Sequence, residues 1–356
     1  MELIDILTYA VEQNASDVHL AVGKPPLLRA KGSLKPMPQF PALTEPECQR
    51  LIYSALYDHQ KQRFEQALEL DCAFTINNLG RFRVNVLKQI NGIEAVMRIV
   101  PSKIPDPEEI GLPEVVVDFT KQPRGLILVT GPTGAGKSTT LACLIEHINA
   151  HRDAHILTIE DPVEYLYTGR KSLIRQREVG HSTHSFGDAL KHALRQDPDI
   201  ILVGEMRDLE TISLTLTAAE TGHLCFATLH TTDAATSIDR IIDVFPPHQQ
   251  QQIRVQLSTV LKGVVCQTLL PMRDGWHMVA VREVMVMTPA IANLVREGKT
   301  YMISNSIDTG AELGMVSMDK ALSEAVKRGD ITLETAVQKS SDPKKLQQLI
   351  GDKIVF

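Results

Sequence analysis

The sequence predicts an α/β fold with a mainly parallel sheet, a smaller α+β unit before it and a helical region after it. Three observations carry that prediction. Apolar runs at 126–130, His155–Ile159, Ile200–Val203 and Leu224–Leu229 alternate with helical segments, as strands do when crossover helices join them. The stretch Gly131-Pro132-Thr133-Gly134-Ala135-Gly136-Lys137-Ser138 fills every fixed position of the G-x-x-x-x-G-K-[ST] phosphate loop. Leu126–Val129 precedes it as a strand, and Leu141, Leu144, Ile145 and Ile148 follow it on one helical face, the context such a loop requires. Upstream, a mixture of helical and alternating patterns is set apart by Pro101, Pro105, Pro107 and Pro113.

A chain of 356 residues holds about two or three domains. Its 43% hydrophobic and 22% charged content is that of a globular protein with ample core. The net charge of −6 and the 4% of aromatic residues give neither a basic surface nor a stacking platform for single strands, so no nucleic-acid partner is expected. Cys48, Cys72, Cys143, Cys225 and Cys266 form no C-x-x-C pair, which argues against a zinc site or disulfide framework and for buried thiols in a reducing cytoplasm. Met1-Glu2-Leu3-Ile4-Asp5 lacks the basic start of a secretory signal. No apolar run reaches the roughly 18 residues of a membrane span. Any membrane role therefore goes through a partner, without direct insertion.

In order, residues 2–13 read as an amphipathic helix with Leu3, Ile6, Leu7, Ala10 and Val11 on one face. Ser16–Leu20 reads as a strand, and Leu27–Ala30 and Leu34 flank a turn at Lys31-Gly32-Ser33. Thr44 and Glu47 form a capping box for a helix burying Cys48, Leu51, Ile52, Ala55 and Leu56. Two strands close the region, 81–87 and Ile93–Ile99, joined at Asn91-Gly92. The domains are then 1–100, a proline-rich linker at 101–113, a nucleotide-binding core at 114–272 and a helical region at 273–356. A stiff linker would pass one domain's movement to the other. Beyond residue 270 the pattern is helical: Pro289–Arg296, Ser317–Val326, and a last helix opened by Asp342-Pro343.

Ligands of parallel sheets sit at the carboxyl ends of the strands, and chemistry follows each strand here. The loop glycines let backbone N–H groups approach phosphate oxygens at a helix N-terminus. Lys137 neutralises β- and γ-phosphates and the Ser138 hydroxyl can ligate Mg²⁺; Thr139 completes the nucleotide-binding stretch. Glu160, Asp161 and Glu164 put three carboxylates on one loop, of which one suffices as general base, and spacing does not rank them. Glu205 takes a Walker-B-like position although Gly204 stands where many phosphate-loop enzymes place an Asp. It can hold Mg²⁺ through water or polarise the attacking water. Arg207 follows as a candidate phosphate contact. His230, at a strand end, could hydrogen-bond a γ-phosphate. His223 lies at the strand's other end, over 20 Å away when extended at ~3.3 Å per residue. Both reach one nucleotide only if the segment bends or one faces a neighbouring subunit. Arg81, Arg83 and Asn85 share one strand face, and Arg83 should lie opposite Arg98 across the hairpin. Like charges so placed repel, so the cluster should meet an anion. A phosphate contacted as an arginine finger, from this subunit or the adjacent one, is the specific expectation; a solvated basic face is the plain one.

Gly131–Thr140, Thr158–Glu164, Ala193–Asp208 and Ala218–His230 resemble the Walker A, Asp, Walker B and His boxes of the secretion-type hexameric ATPases. Ala15–Leu20, Gly80–Asn85 and Ala290–Lys299 extend the resemblance to the type IV pilus retraction motors of twitching motility over nearly the whole chain. It implies a PAS-like N-terminal domain on a RecA-like ATPase core, a homohexamer using ATP and Mg²⁺, and cytoplasmic docking on an inner-membrane platform protein, possibly beside a paralogous retraction ATPase. It also selects Glu164 as base, Glu205 for the Mg²⁺ or water contact and His230 for the γ-phosphate, with His223 supporting and Arg81, Arg83 and Arg98 reaching phosphate. The chain departs from that family at Ala292, where the retraction motif typically has an arginine in Ala-Ile-Arg-Asn-Leu-Ile-Arg. The alternatives are a retraction-accessory paralogue, a pilus assembly or type II secretion ATPase, and, in another class, a RecA-like nucleic-acid motor. Assembly ATPases usually carry a further N-terminal domain and a tetracysteine zinc element, neither of which is read here.

Overall fold

The computed structural model describes residues 1–30, 32–77, 79–100 and 103–351. Their contacts divide them into two units, Met1–Lys103 with Glu164–Leu166, and Ile104–Val163 with the chain from Tyr167 onward.

In the first unit, helix α1 (Leu3–Glu12) buries Leu3, Ile6, Leu7 and Ala10, the spacing of one helical face. Strands β1 (Asp17–Leu20), β2 (Leu27–Ala30) and β3 (Ser33–Pro36) follow. Gly32, between β2 and β3, has φ +78°; Lys31, which shares the expected turn, lies outside the described residues. Helix α2 (Glu45–Ser54) opens on the expected capping box, where the Thr44 N–H donates to Glu47 Oε2 at 2.9 Å. After α3 (Asp58–Ala67) come β4 (Glu69–Ile76), β5 (Gly80–Gln89) and β6 (Gly92–Val100). The sheet is antiparallel throughout, in the order β3-β2-β1-β6-β5-β4.

Three strands rather than two close this unit. Helix α3 buries only Phe64, so it carries no apolar stripe to announce itself. Strand β4 does alternate, with Leu70, Cys72, Phe74 and Ile76 apolar, but acidic residues interrupt its start. The β5–β6 turn lies at Ile90-Asn91, one residue earlier than expected, because Gly92 already pairs with Gln89.

Pro101, at the head of the expected linker, is outside the described residues. The second unit runs through α4 (Glu114–Asp118), β7 (Gly125–Thr130), α5 (Lys137–His151), β8 (His155–Glu160) and β9 (Leu173–Glu178). It continues with α6 (Phe186–Ala193), β10 (Ile200–Val203), α7 (Leu209–Glu220) and β11 (Leu224–Leu229). Then come α8 (Ala234–Asp243), α9 (Pro247–Val260), β12 (Leu261–Pro271) and β13 (Met278–Val286). The sheet order is β13-β12-β7-β11-β10-β8-β9. Every pair is parallel except β12–β13. Leu126 and Leu128 of β7 enter the core on one sheet face, Ile127 and Val129 the core on the other. Burial on both faces is why the central strands read as unbroken apolar runs.

The four expected strands form, but β9, β12 and β13 join them, and the chain beyond residue 270 is not simply helical. Strand β9, Leu-Ile-Arg-Gln-Arg-Glu, sits at the sheet edge and is polar. Strand β12 starts at Leu261, directly after α9 ends at Val260, so no turn residue marks the change. Both β12 and β13 carry buried polar residues, Gln267, Arg282 and Glu283, that break their apolar runs. Helices α10 (Pro289–Arg296), α11 (Ile303–Thr309), α12 (Met318–Arg328), α13 (Leu333–Lys339) and α14 (Pro343–Ile350) complete the unit. Asp342 caps α14 as expected, accepting from the Lys344 and Lys345 N–H groups at 3.1 Å. Leu322 and Leu346 bury with Leu270 and Val281 of the hairpin.

Candidate nucleotide site

Strand β7 delivers the loop at its carboxyl end, and α5 begins at Lys137. Gly131 (φ +143°) and Gly136 (φ +83°) adopt conformations that side chains rarely take. Both also lie against β12. A Cβ on Gly131 would stand 2.1 Å from the Gln267 carbonyl oxygen, and one on Gly136 would stand 2.8 Å from Gln267 Nε2. Ala135 is buried, Pro132, Thr133 and Gly134 are exposed, and Gly136, Ser138 and Thr139 are half-buried. Lys137 Nζ donates to the carbonyls of Gly131 at 2.8 Å and Pro132 at 3.1 Å. Its ammonium is thus kept at the loop. The first turn of a 15-residue helix directs N–H groups and dipole toward the same place, which suits a phosphate.

Glu205 follows β10. Arg207 Nε lies 2.7 Å and His230 Nε2 3.2 Å from Glu205 Oε1, so three predicted residues form one cluster. Burial alone would raise the Glu205 carboxyl, but the Arg207 and His230 contacts outweigh it and hold the group below the usual carboxylate range. It is ionised at neutral pH. A side chain at Gly204 would meet Ile159 O and Glu160 Cα at 3.2 Å, a tight fit against β8. The Thr228 hydroxyl donates to Gly204 O at 2.5 Å and the Met206 N–H to Thr228 O at 3.1 Å, tying this turn to β11.

His230 and His223 sit at opposite ends of β11. His223 Nδ1 is 2.9 Å from Ala218 O, so its ring is engaged at the end of α7 and is not brought to Glu205. Glu160 ends β8 and accepts from Thr158 Oγ1 at 2.7 Å; Asp161 is exposed. Glu164 groups with the first unit, where its Oε1 lies 3.8 Å from Arg83 Nη1. Arg83 pairs with Arg98 as expected. Arg98 Nε bonds Asp17 Oδ1 at 2.9 Å and Arg81 Nη1 contacts Thr75 Oγ1 at 3.4 Å.

Beside the loop is a cavity of about 620 Å³, lined by Thr139, Thr140, Leu269, Met278, Ala280 and Arg282 among others. Its size and its mixed apolar and polar walls fit a nucleoside. Residues that pattern reading passed over build it. Gln267, 3% exposed, donates from Nε2 to Ala135 O at 2.6 Å and accepts from Thr140 Oγ1 at 2.8 Å. Arg282, opposite Gln267 in the hairpin register, donates to the same Oε1 at 2.9 Å. The available signal was polar residues set mid-strand in apolar runs, which burial must justify.

The family described as type II/IV secretion system protein matches residues 2–275. The type IV pilus retraction ATPase PilT of Pseudomonas aeruginosa is 48% identical over 96% of this chain and 99% of its own. A twitching motility protein of Neisseria gonorrhoeae is 46% identical over 90% of this chain and 86% of its own. A crystal structure of the pilus retraction motor PilT with bound ADP superposes with a TM-score of 0.92 at 44% identity, covering 98% of this chain and 99% of that one.

Proposed function

Because the chain belongs to the type II/IV secretion system protein family, among the relatives of the pilus retraction ATPases, we propose that it is an ATPase motor driving type IV pilus retraction and twitching motility. The observation that carries this reading is a resemblance running nearly the length of the chain to one protein named for pilus retraction and one named for twitching motility. It is joined to a complete phosphate loop beside a nucleoside-sized cavity. The fold is a RecA-like ATPase core with a PAS-like N-terminal domain. We assign residues 1–100 to that domain and 101–113 to the linker, and we place the β12–β13 hairpin with the core.

In the proposed reaction, water attacks the γ-phosphorus, the bond to the β-γ bridging oxygen breaks, and ADP and phosphate leave. Lys137 and the loop N–H groups bind the phosphates. Glu164 takes the water's proton, with Glu160 and Asp161 supporting, and His230 contacts the γ-phosphate. Arg81, Arg83, Arg98 and Arg207 are candidate phosphate contacts, from this subunit or its neighbour in a homohexamer. The Ser138 hydroxyl and the ionised Glu205 carboxylate, the latter through water, are hard oxygen donors that fit Mg²⁺. Bound there, Mg²⁺ would neutralise charge on the β- and γ-phosphate oxygens. No helix among the described residues is long and apolar enough to cross a membrane. We place the motor in the cytoplasm, docked through a platform protein of the inner membrane.

One observation favours a second reading. Ala292, 8% exposed in α10, stands where retraction motors typically carry a charge, which suits an accessory paralogue. Complementing a strain that lacks its retraction motor decides between them. Restored retraction, lost with Glu164→Ala together with ATPase turnover, supports the motor. Turnover without retraction supports the paralogue. DNA-stimulated, salt-sensitive turnover would instead support a nucleic-acid motor.

A further inference from the structure

Arg282 is a buried charge, 6% exposed, and it has no ion-pair partner among the described residues. A guanidinium so placed is destabilising unless its donors are satisfied. Burial pulls it down to about 10, so it remains cationic at neutral pH. Its donors are spent in two directions. Nε donates to Gln267 Oε1 at 2.9 Å. Nη1 donates to Gly111 O and Nη2 to Ile110 O, each at 3.0 Å. Gln267 in turn holds Ala135 O within the phosphate loop and the Thr140 hydroxyl in the first turn of α5.

One side chain therefore bonds backbone within the proline-rich linker and, through one amide, the backbone that would cradle phosphate. The backbone of Gln267 packs on Gly131 so closely that a Cβ there would stand 2.1 Å from the Gln267 carbonyl oxygen, and its side-chain amide nitrogen lies 2.8 Å from where a Cβ on Gly136 would be. Buried hydrogen-bond networks of this kind act as units, since breaking one member leaves the others unsatisfied.

We propose that Arg282 is a positioning residue that fastens the Ile110-Gly111 segment to the phosphate loop through Gln267, so that nucleotide in the loop and the conformation of that linker segment are coupled. The inference rests on the nucleotide-binding reading above and assigns that site a readout. Coupling is reciprocal: a nucleotide that orders the loop must protect residues 104–112, and loosening that segment must weaken nucleotide binding. The expected effect of losing Arg282 is accordingly on binding, with KM for ATP raised about 10-fold and kcat changed less than about 3-fold.

The test is hydrogen–deuterium exchange on the full chain with and without ADP, for wild type, Arg282→Met and Arg282→Lys. In wild type ADP should slow exchange in 131–140 and also in 104–112. Arg282→Met should keep protection of 131–140 at saturating ADP but lose it in 104–112. Arg282→Lys keeps the charge but holds its donors on a single nitrogen, which cannot span Gln267 and the Ile110 and Gly111 carbonyls as the guanidinium fork does, so it should restore part of the protection and part of the KM. It also decides the matter if the Met variant does not fold. Equal ADP protection of 104–112 in wild type and both variants overturns the proposal. So does protection of 131–140 in wild type with no change at 104–112. Absence of protection at 131–140 in wild type would instead overturn the nucleotide reading itself, and this inference with it.

Discussion

Arg98 reaches across from β6 to Asp17 on β1, Nε to Oδ1 at 2.9 Å, from directly paired register positions. Arg83 faces Arg98 from the other side, on β5. The like-charge pair that pointed to an external anion thus has a carboxylate of its own within the same sheet. Arg83 has Glu164 at 3.8 Å. Any phosphate that recruits these arginines must compete with these acids.

Asp17→Asn should destabilise the first unit by about 1–2 kcal/mol at pH 7, the range for a hydrogen bond to a charged group reduced for the exposure of Arg98. Burial alone would raise the Asp17 carboxyl, but Ser16 and Arg98 outweigh it and hold it low. The stability it adds is present above the ordinary Asp value and is lost as pH falls through the lowered folded-state value. Urea unfolding of both proteins at pH 7 and near pH 3 measures it: the gap should close in acid.

Glu283 behaves oppositely. Burial pushes its carboxyl up to about 6, although it accepts from the N–H groups of Ala234 at 2.9 Å and Met318 at 3.3 Å. A raised acid binds its proton more readily folded than unfolded, so its contribution improves as pH falls from about 6 toward the ordinary Glu value. Between pH 7 and pH 5 wild type should gain about 1–2 kcal/mol relative to Glu283→Gln. A flat difference across that range would show that Glu283 titrates normally.

Lys137→Ala should lower nucleotide affinity at least about 100-fold, since the phosphates lose their main cation. Thermal stability should shift little, because the carbonyls that Lys137 bonds belong to a loop partly open to water. Calorimetric titration with ADP, beside a melting curve, separates the two effects.

Glu205→Gln should retain ADP binding while reducing turnover by about 10²–10³, the cost of losing one charge-stabilising group. Arg207→Ala removes a donor that keeps Glu205 ionised. The acid limb of its kcat profile should therefore move to higher pH. An unmoved limb would separate Glu205 from the rate-determining ionisation.

Much of the fold was legible for one reason. Strands buried on both faces, such as Ile200–Val203, leave no choice but apolar residues, and the phosphate loop has fixed letters. Where burial is one-sided or polar, legibility fails. Edge strand β9 displays arginines, α3 buries one phenylalanine, and β12 begins without a turn. Within the site, Glu205, Arg207 and His230 could be named in advance because they follow strands. Their mutual bonding could not, since it depends on the spacing of β10 and β11. Gln267 and Arg282 were missed because a polar residue within a strand is meaningful only once its neighbours are known. Asp17 escaped for the same reason: its partner lies 81 positions away.

The floor of the phosphate loop comes from far downstream. Residues 114–272 contain every recognisable nucleotide motif, yet Arg282 and the strand that pairs with β12 lie beyond them. A fragment ending at 272 would have β12 as a raw sheet edge, its outer N–H and C=O groups unpaired and Gln267 without Arg282. Such an edge invites pairing with other chains. The motif-bearing piece should accordingly aggregate and bind ADP poorly, while one extended through β13 and the helices that pack on it should not. The smallest independently folding ATPase is thus delimited by the hairpin and its helical cover, and not by the last box that binds nucleotide.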